Sequence, residues 1–130
     1  MKIIGIDYGT KRIGVAISDE TQTLAREYAI WPATDFWEKL DELLGLEQVE
    51  KVIVGLPLNM SGVETEKTKE VKEFIGVLKS KINLPVDSVD ERLSSVMAEE
   101  ISGQSKQLDS LSAQIFLQNY LNQNKTNVSI

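Results

Sequence analysis

The chain contains no cysteine and no histidine. The first absence excludes a disulfide framework, a thiolate nucleophile and a cysteine-based metal site. The second removes the usual general base and the commonest transition-metal ligand. Chemistry here must therefore run on carboxylates, amines, hydroxyls or a bound hard cation. Long apolar runs are missing as well. No stretch approaches the length of a membrane span, and the amino terminus enters a strand pattern without a basic region and long apolar core, so a soluble cytoplasmic protein with no membrane partner is expected. Basic residues are the minority, 14 Lys and Arg against 20 Asp and Glu, and the net charge of −6 argues against a general binder of polyanions.

The charge is unevenly spread. Asp35, Glu38, Asp41, Glu42, Glu47 and Glu50 face only Lys39 within one segment, whereas residues 1–12 hold Lys2, Lys11 and Arg12 against Asp7 alone. A face around the first turn is thus expected to be locally positive on an acidic molecule. A length of 130 residues with 42% hydrophobic content suits one domain, 1–130, with an ordinary core.

Two apolar runs open the chain. Ile3-Ile4-Gly5-Ile6 stops at Asp7, and Ile13-Gly14-Val15-Ala16-Ile17 follows the turn Tyr8-Gly9-Thr10-Lys11-Arg12. Their mix of bulky and small residues fits two strands of a hairpin with one face closely approached. Leu24 to Ile30 fits a third strand at the sheet edge, broken by Trp31-Pro32-Ala33. Thr34 or Asp35 can cap a helix carrying Phe36, Leu40, Leu43 and Leu44 at helical spacing, with Gly45 as its end. Lys51 to Gly55 reads as a buried parallel strand whose carboxyl end lies near Asp7. The loop Leu56 to Gly62 leads to a helix at 64–80 with a stripe of Val71, Phe74, Ile75 and Leu78; its Lys67, Lys69 and Lys72, alternating with glutamates, read as a solvated face. A fifth short strand begins at Leu84-Pro85-Val86 and runs into Asp90-Glu91-Arg92. Leu93 to Ile101 reads as a helix, Gly103 to Lys106 as a break, Leu108 to Leu121 as a last helix opened by Asp109, and 122–130 as a frayed tail. The order βββ, α, β, α, β, α predicts an α/β fold: a mixed five-stranded sheet, a three-strand meander then βα units, with helices on both faces and ligands at the carboxyl ends of the parallel strands.

Asp7 follows strand one, Glu91 follows strand five and Asp109 starts the last helix, so three acids distant in sequence can converge on one sheet edge. Clustered carboxylates repel unless a cation neutralises them, and an all-oxygen set of this kind selects Mg²⁺ or Mn²⁺ over Zn²⁺. The alternative is that each acid caps a helix or closes a turn.

Four segments carry a family resemblance. Gly5-Ile6-Asp7-Tyr8-Gly9-Thr10-Lys11-Arg12-Ile13-Gly14-Val15-Ala16, Val54-Gly55-Leu56-Pro57-Leu58-Asn59-Met60-Ser61-Gly62, Asp90-Glu91-Arg92-Leu93-Ser94-Ser95, and Asp109-Ser110-Leu111-Ser112-Ala113 through Leu117-Gln118-Asn119-Tyr120-Leu121 resemble, in order, the signatures of the YqgF (RuvX) family. That resemblance implies a ribonuclease H-like nuclease that trims the 5′ end of precursor 16S ribosomal RNA or resolves Holliday junctions, with Asp7, Glu91 and Asp109 as the acidic catalytic and metal-binding set. Departures are the loop before Asp109, where only Lys106 stands in place of a lysine- and glycine-rich segment, Ser94-Ser95 for Thr-Thr, and Ser112 for Ala.

In that reading Gly9, Thr10, Lys11 and Arg12 position phosphates. Arg92 either joins them or pairs with Asp90 or Glu91, and Asn59 either touches ligand or forms an Asx turn beside Pro57. Processing of precursor ribosomal RNA is the leading expectation, by a monomer or weak homodimer. Cutting a four-way DNA junction would need a dimer with paired sites. Two other classes compete. Kinases of the actin-like fold also place an aspartate and Gly-Thr on a first hairpin, but they need two such domains, and a non-catalytic module binding nucleic acid, a transcription factor or the ribosome would lack one of the acids.

Overall fold

The computed structural model describes residues 1–59, 61–91 and 108–128, with side chains of the last stretch described for 112–123. Strand β1 is Lys2–Asp7, β2 Arg12–Ser18 and β3 Ala25–Pro32; a 3-10 turn, Ala33–Asp35, leads into helix α1, Phe36–Leu46. Strand β4 is Val49–Leu56, helix α2 Glu66–Lys81, strand β5 Val86–Asp90 and helix α3 Leu108–Val128. The five strands lie in the order β3-β2-β1-β4-β5. The meander is antiparallel, with Asp7 opposite Gly14, whereas β4 runs parallel to β1 with Ile6 opposite Val54, and β5 parallel to β4 with Gly55 opposite Val89. The carboxyl ends of β1, β4 and β5 therefore share one edge.

Strand alternation divides the core into two layers. Ile4, Ile6, Val52 and Val54 pack with Phe36, Leu40, Leu43, Val71, Phe74 and Leu78 under α1 and α2. Ile3, Ala16 and Ile53 pack on the opposite face with Ala113, Phe116, Leu117 and Leu121 of α3. Glycine at position 5 lets α3 come close: a Cβ there would meet Leu117 Cβ and Phe116 Cε1 at 3.2 Å. Gln118 ties the same helix to the start of β3, accepting from the Ala25 N–H at 2.8 Å and donating to the Thr23 carbonyl at 2.9 Å.

The expected mixed sheet with helices on both faces is present, and several boundaries move. Trp31-Pro32 does not break β3 but ends it, because Pro32 stands opposite Arg12 on an edge strand where its missing N–H costs no ladder bond. Gly45 does not end α1, which runs to Leu46; open space around the glycine leaves the helix undisturbed. Helix α2 starts at Glu66, fixed by Thr65: its Oγ1 accepts from the Thr68 N–H, and the Thr68 Oγ1 accepts from the Thr65 N–H at 2.9 Å. Leu84-Pro85 precedes β5 instead of opening it. Helix α3 continues through 122–128, within the stretch for which the sequence predicts a frayed tail. Lys69 and Lys72 do lie on an exposed face, paired with Glu66 and Glu64, but Lys67 is half-buried with its Nζ 5.5 Å from the Tyr8 ring centroid. The helix expected at Leu93 to Ile101, the break at Gly103 to Lys106 and Arg92 lie outside the described residues.

Candidate active site at the carboxyl edge of the sheet

Asp7 is the last residue of β1 and half-buried. Ile3 and Gly5 meet α3, so strand alternation carries Asp7 to the α3 face just beyond the packed core. Glu91 follows β5, where its N–H donates to the Leu56 carbonyl at 3.3 Å, and the residue is buried at 8% exposure. Its carboxylate lies back over β4: a Cβ on Gly55 would fall 2.6 Å from Glu91 Oε2 and 2.7 Å from Phe116 Cε2. Since Val54 stands opposite Ile6, Gly55 follows on alongside Asp7, and the Glu91 carboxylate, reaching from the end of β5 over β4, lies on the same face of the sheet as Asp7 on β1.

Helix α3 points its first turn at that edge. Phe116 and Ala113 approach Gly5, while Tyr120, further along, accepts from Lys51 Nζ at 2.6 Å near the start of β4. Position 109 lies one turn before Ala113 along the helix backbone, at the end of α3 nearest Asp7. The structure thus places Asp7 and the Glu91 carboxylate on one face of the sheet at one edge, and the backbone of Asp109 at the same edge. Among the described residues no group of three Asp, Glu, His or Cys side chains could hold a metal ion. The donor chemistry of Asp7, Glu91 and Asp109, all carboxylate oxygen and no nitrogen or sulfur, fits a hard cation.

The β1–β2 turn borders this edge. Gly9 is demanded by close approach, since a Cβ there would sit 2.3 Å from the Arg12 carbonyl oxygen. The Ala33 N–H donates to the Lys11 carbonyl at 2.8 Å and pins the turn to the exit of β3, leaving Thr10, Lys11 and Arg12 exposed. Asn59 takes the Asx role: its Oδ1 accepts from the N–H groups of Ser61 and Val63, both at 2.9 Å, which orders the loop after β4. Sequence reasoning missed Gly55 as the floor beneath Glu91. Its only signal was a glycine closing an apolar run, which also describes any strand entering a turn.

A family model described as RuvX, Holliday junction resolvase, matches residues 1–123. The chain belongs to the RuvX family. A relative from Maridesulfovibrio salexigens, named "Putative pre-16S rRNA nuclease", is 38% identical, the match covering 93% of this chain and 98% of that one. A relative of the same name from Halothermothrix orenii is 39% identical over 96% of this chain and 98% of its own length. Among solved structures, RuvC of Thermus thermophilus superposes with a TM-score of 0.58 at 15% identity over 97% of both chains. The fowlpox virus resolvase solved with Holliday junction DNA gives a TM-score of 0.52 at 18% identity, covering 95% of this chain and 99% of that one. The fold of this RuvX protein is accordingly ribonuclease H-like.

Proposed function

We propose that this RuvX protein is a divalent-metal-dependent nuclease, one domain acting as a monomer or weak homodimer, that hydrolyses phosphodiester bonds at the 5′ end of precursor 16S ribosomal RNA. The observation that carries the reading is the placement of the Glu91 carboxylate over Gly55, on the same face of the sheet as Asp7 and at the same edge, a pairing of carboxylate oxygens that suits a hard cation. Asp7, Glu91 and Asp109 would hold Mg²⁺ or Mn²⁺, which when bound supplies an activated water and charge stabilisation of the leaving oxygen. The backbone N–H groups of Gly9 and Thr10 and the side chains of Lys11 and Arg12 hold the substrate phosphates at this edge, with Arg92, on the segment after Glu91, as a further cation. Asn59 acts indirectly by shaping the neighbouring loop. The names carried by the relatives from Maridesulfovibrio salexigens and Halothermothrix orenii support the RNA substrate.

A second reading, cleavage of a four-way DNA junction by a dimer, is favoured by the description of the matching family. Single-turnover cleavage of precursor 16S RNA and of a four-way DNA junction in Mn²⁺, with the parent, Asp7→Asn, Glu91→Gln and Asp109→Asn, tests both. Parts that act as a unit fail together, so each amide variant should lose hydrolysis while nucleic-acid binding survives. Cleavage persisting in repurified Asp7→Asn places the chemistry elsewhere, and a parent inactive on both substrates leaves a binding module.

A further inference from the structure

On the other face of the sheet from Asp7 and Glu91, a groove of about 360 Å³ opens between the β1–β2 turn, α1 and α2, walled by Tyr8, Thr10, Trp37, Glu70, Glu73 and Phe74. That volume lies within the range of roughly 300–1,000 Å³ typical of small-molecule sites. Its walls are aromatic and rigidly supported. Tyr8 stacks on Phe74 with centroids 4.4 Å apart, Trp37 lies 5.9 Å from Phe74, and Phe36 braces Trp37 at 4.9 Å. Two cations lie against these rings, Lys67 Nζ 5.5 Å from the Tyr8 ring centroid and Lys81 Nζ 5.2 Å from the Trp37 ring centroid.

We propose that this groove is a subsite for one unpaired nucleobase of a single-stranded substrate, an inference that rests on the nuclease reading above. Three features select that occupant. Flat aromatic walls suit a base, since stacking on aromatic side chains is how splayed-out bases of single strands are held. Glu70 and Glu73 repel a phosphate backbone but accept from an exocyclic amine, so cytosine, adenine and guanine are favoured over uracil. The location also fits. Tyr8 is bonded directly to Asp7, their Cα atoms about 3.8 Å apart, yet Tyr8 packs into the α1/α2 layer. A strand whose phosphate meets Asp7 can therefore cross the sheet edge and drop a neighbouring base into the groove. The incoming base displaces Lys67 from a weak cation–π contact, and the freed ammonium then reaches the flanking phosphate.

The test is binding of a short oligoribonucleotide and of a fully paired four-way DNA junction to the full chain carrying Asp7→Asn, which prevents cleavage, read by tryptophan fluorescence and by affinity. Trp31 is buried, so quenching on binding reports Trp37. The oligoribonucleotide should quench, and Trp37→Phe should abolish quenching while keeping affinity, because phenylalanine still stacks. Trp37→Ala and Lys67→Ala should weaken oligoribonucleotide binding, Trp37→Ala by at least about fivefold, with no change for the junction. Glu70→Gln with Glu73→Gln should flatten the preference against uridine. Unchanged affinity in Trp37→Ala together with absent quenching overturns the subsite and leaves the nuclease reading standing. Quenching in a protein whose parent cleaves nothing supports the subsite and overturns the nuclease reading instead. A Trp37 response to an alternating lysine–leucine peptide, with none to the oligoribonucleotide, assigns the groove to a protein segment and overturns the proposal.

Discussion

A single added methyl group separates two of the glycines. At Gly55 a Cβ would press on Glu91 Oε2 and on the buried Phe116 ring at once, and only the carboxylate end can move, so Gly55→Ala should push Glu91 off its position beside Asp7. We expect a loss of about 1–3 kcal/mol in stability, the usual cost of overpacking, and a fall in metal-dependent cleavage larger than that loss accounts for. At Gly45 nothing lies within 4 Å, and Gly45→Ala in α1 should stabilise by about 0.5–1 kcal/mol by removing backbone entropy. Chemical denaturation of both variants checks the contrast. A polar residue offers a pH signature. The Thr21 hydroxyl, donating to Asp19 at 2.6 Å, and then the N–H groups of Thr23 and Leu24 hold the Asp19 carboxyl down from 3.8 to about 2. A depressed folded-state pKa contributes stability that is present above the unfolded value and lost as pH falls through the folded one. Asp19→Ala should therefore reduce the acid sensitivity of the melting temperature between about pH 4 and about pH 2, while leaving its slope at neutral pH unchanged.

At the level of elements, α2 is coupled to the loop after β4 through one buried hydroxyl. Thr68 Oγ1 donates to the Pro57 carbonyl, while it also accepts from the Thr65 N–H and completes the cap with Thr65 Oγ1. Thr65→Ala removes an exposed cap and should cost about 0.5–2 kcal/mol. Thr68→Val keeps the shape but removes a bond from the half-buried Pro57 carbonyl and the partner of the Thr65 N–H, at a cost of about 1–3 kcal/mol for the less solvated carbonyl. Thr68→Val should thus be the more damaging, and amide exchange should quicken in the loop holding Asn59 as well as in the first turn of α2. Exchange confined to α2 would show that the loop is held by other contacts.

At the level of the whole molecule, the acidic net charge and the basic first turn oppose one another in nucleic-acid binding. Few phosphates can be neutralised, so binding should be weak and salt-sensitive. Lys11→Ala with Arg12→Ala should flatten the slope of log affinity against log salt by about 0.7 per lost contact for a single strand. Mg²⁺ or Mn²⁺ should raise the melting temperature, because a ligand bound only by the native state stabilises it by mass action, and Asp7→Asn should remove that increment. An unchanged metal response in Asp7→Asn would place the ion elsewhere.

Much of this architecture was legible in the order of residues. Apolar runs ending at Asp7 and Gly55, the 3.6-residue stripes of Phe36-Leu40-Leu43 and Val71-Phe74-Ile75-Leu78, and the small residues facing α3 are local patterns, and local patterns specify which segments become strands or helices and which face is buried. Boundaries were less legible where a neighbour outvoted the local signal, as when edge placement let Pro32 remain in β3 and empty space let α1 pass through Gly45. What the chain could not express alone was adjacency across strands. That Glu91 reaches back over β4, that Gly55 must lack a side chain beneath it, and that Tyr8 and Trp37 meet across a groove all depend on strand order and helix docking. Those are set by packing energies summed over residues far apart in sequence, and no window along the chain contains them.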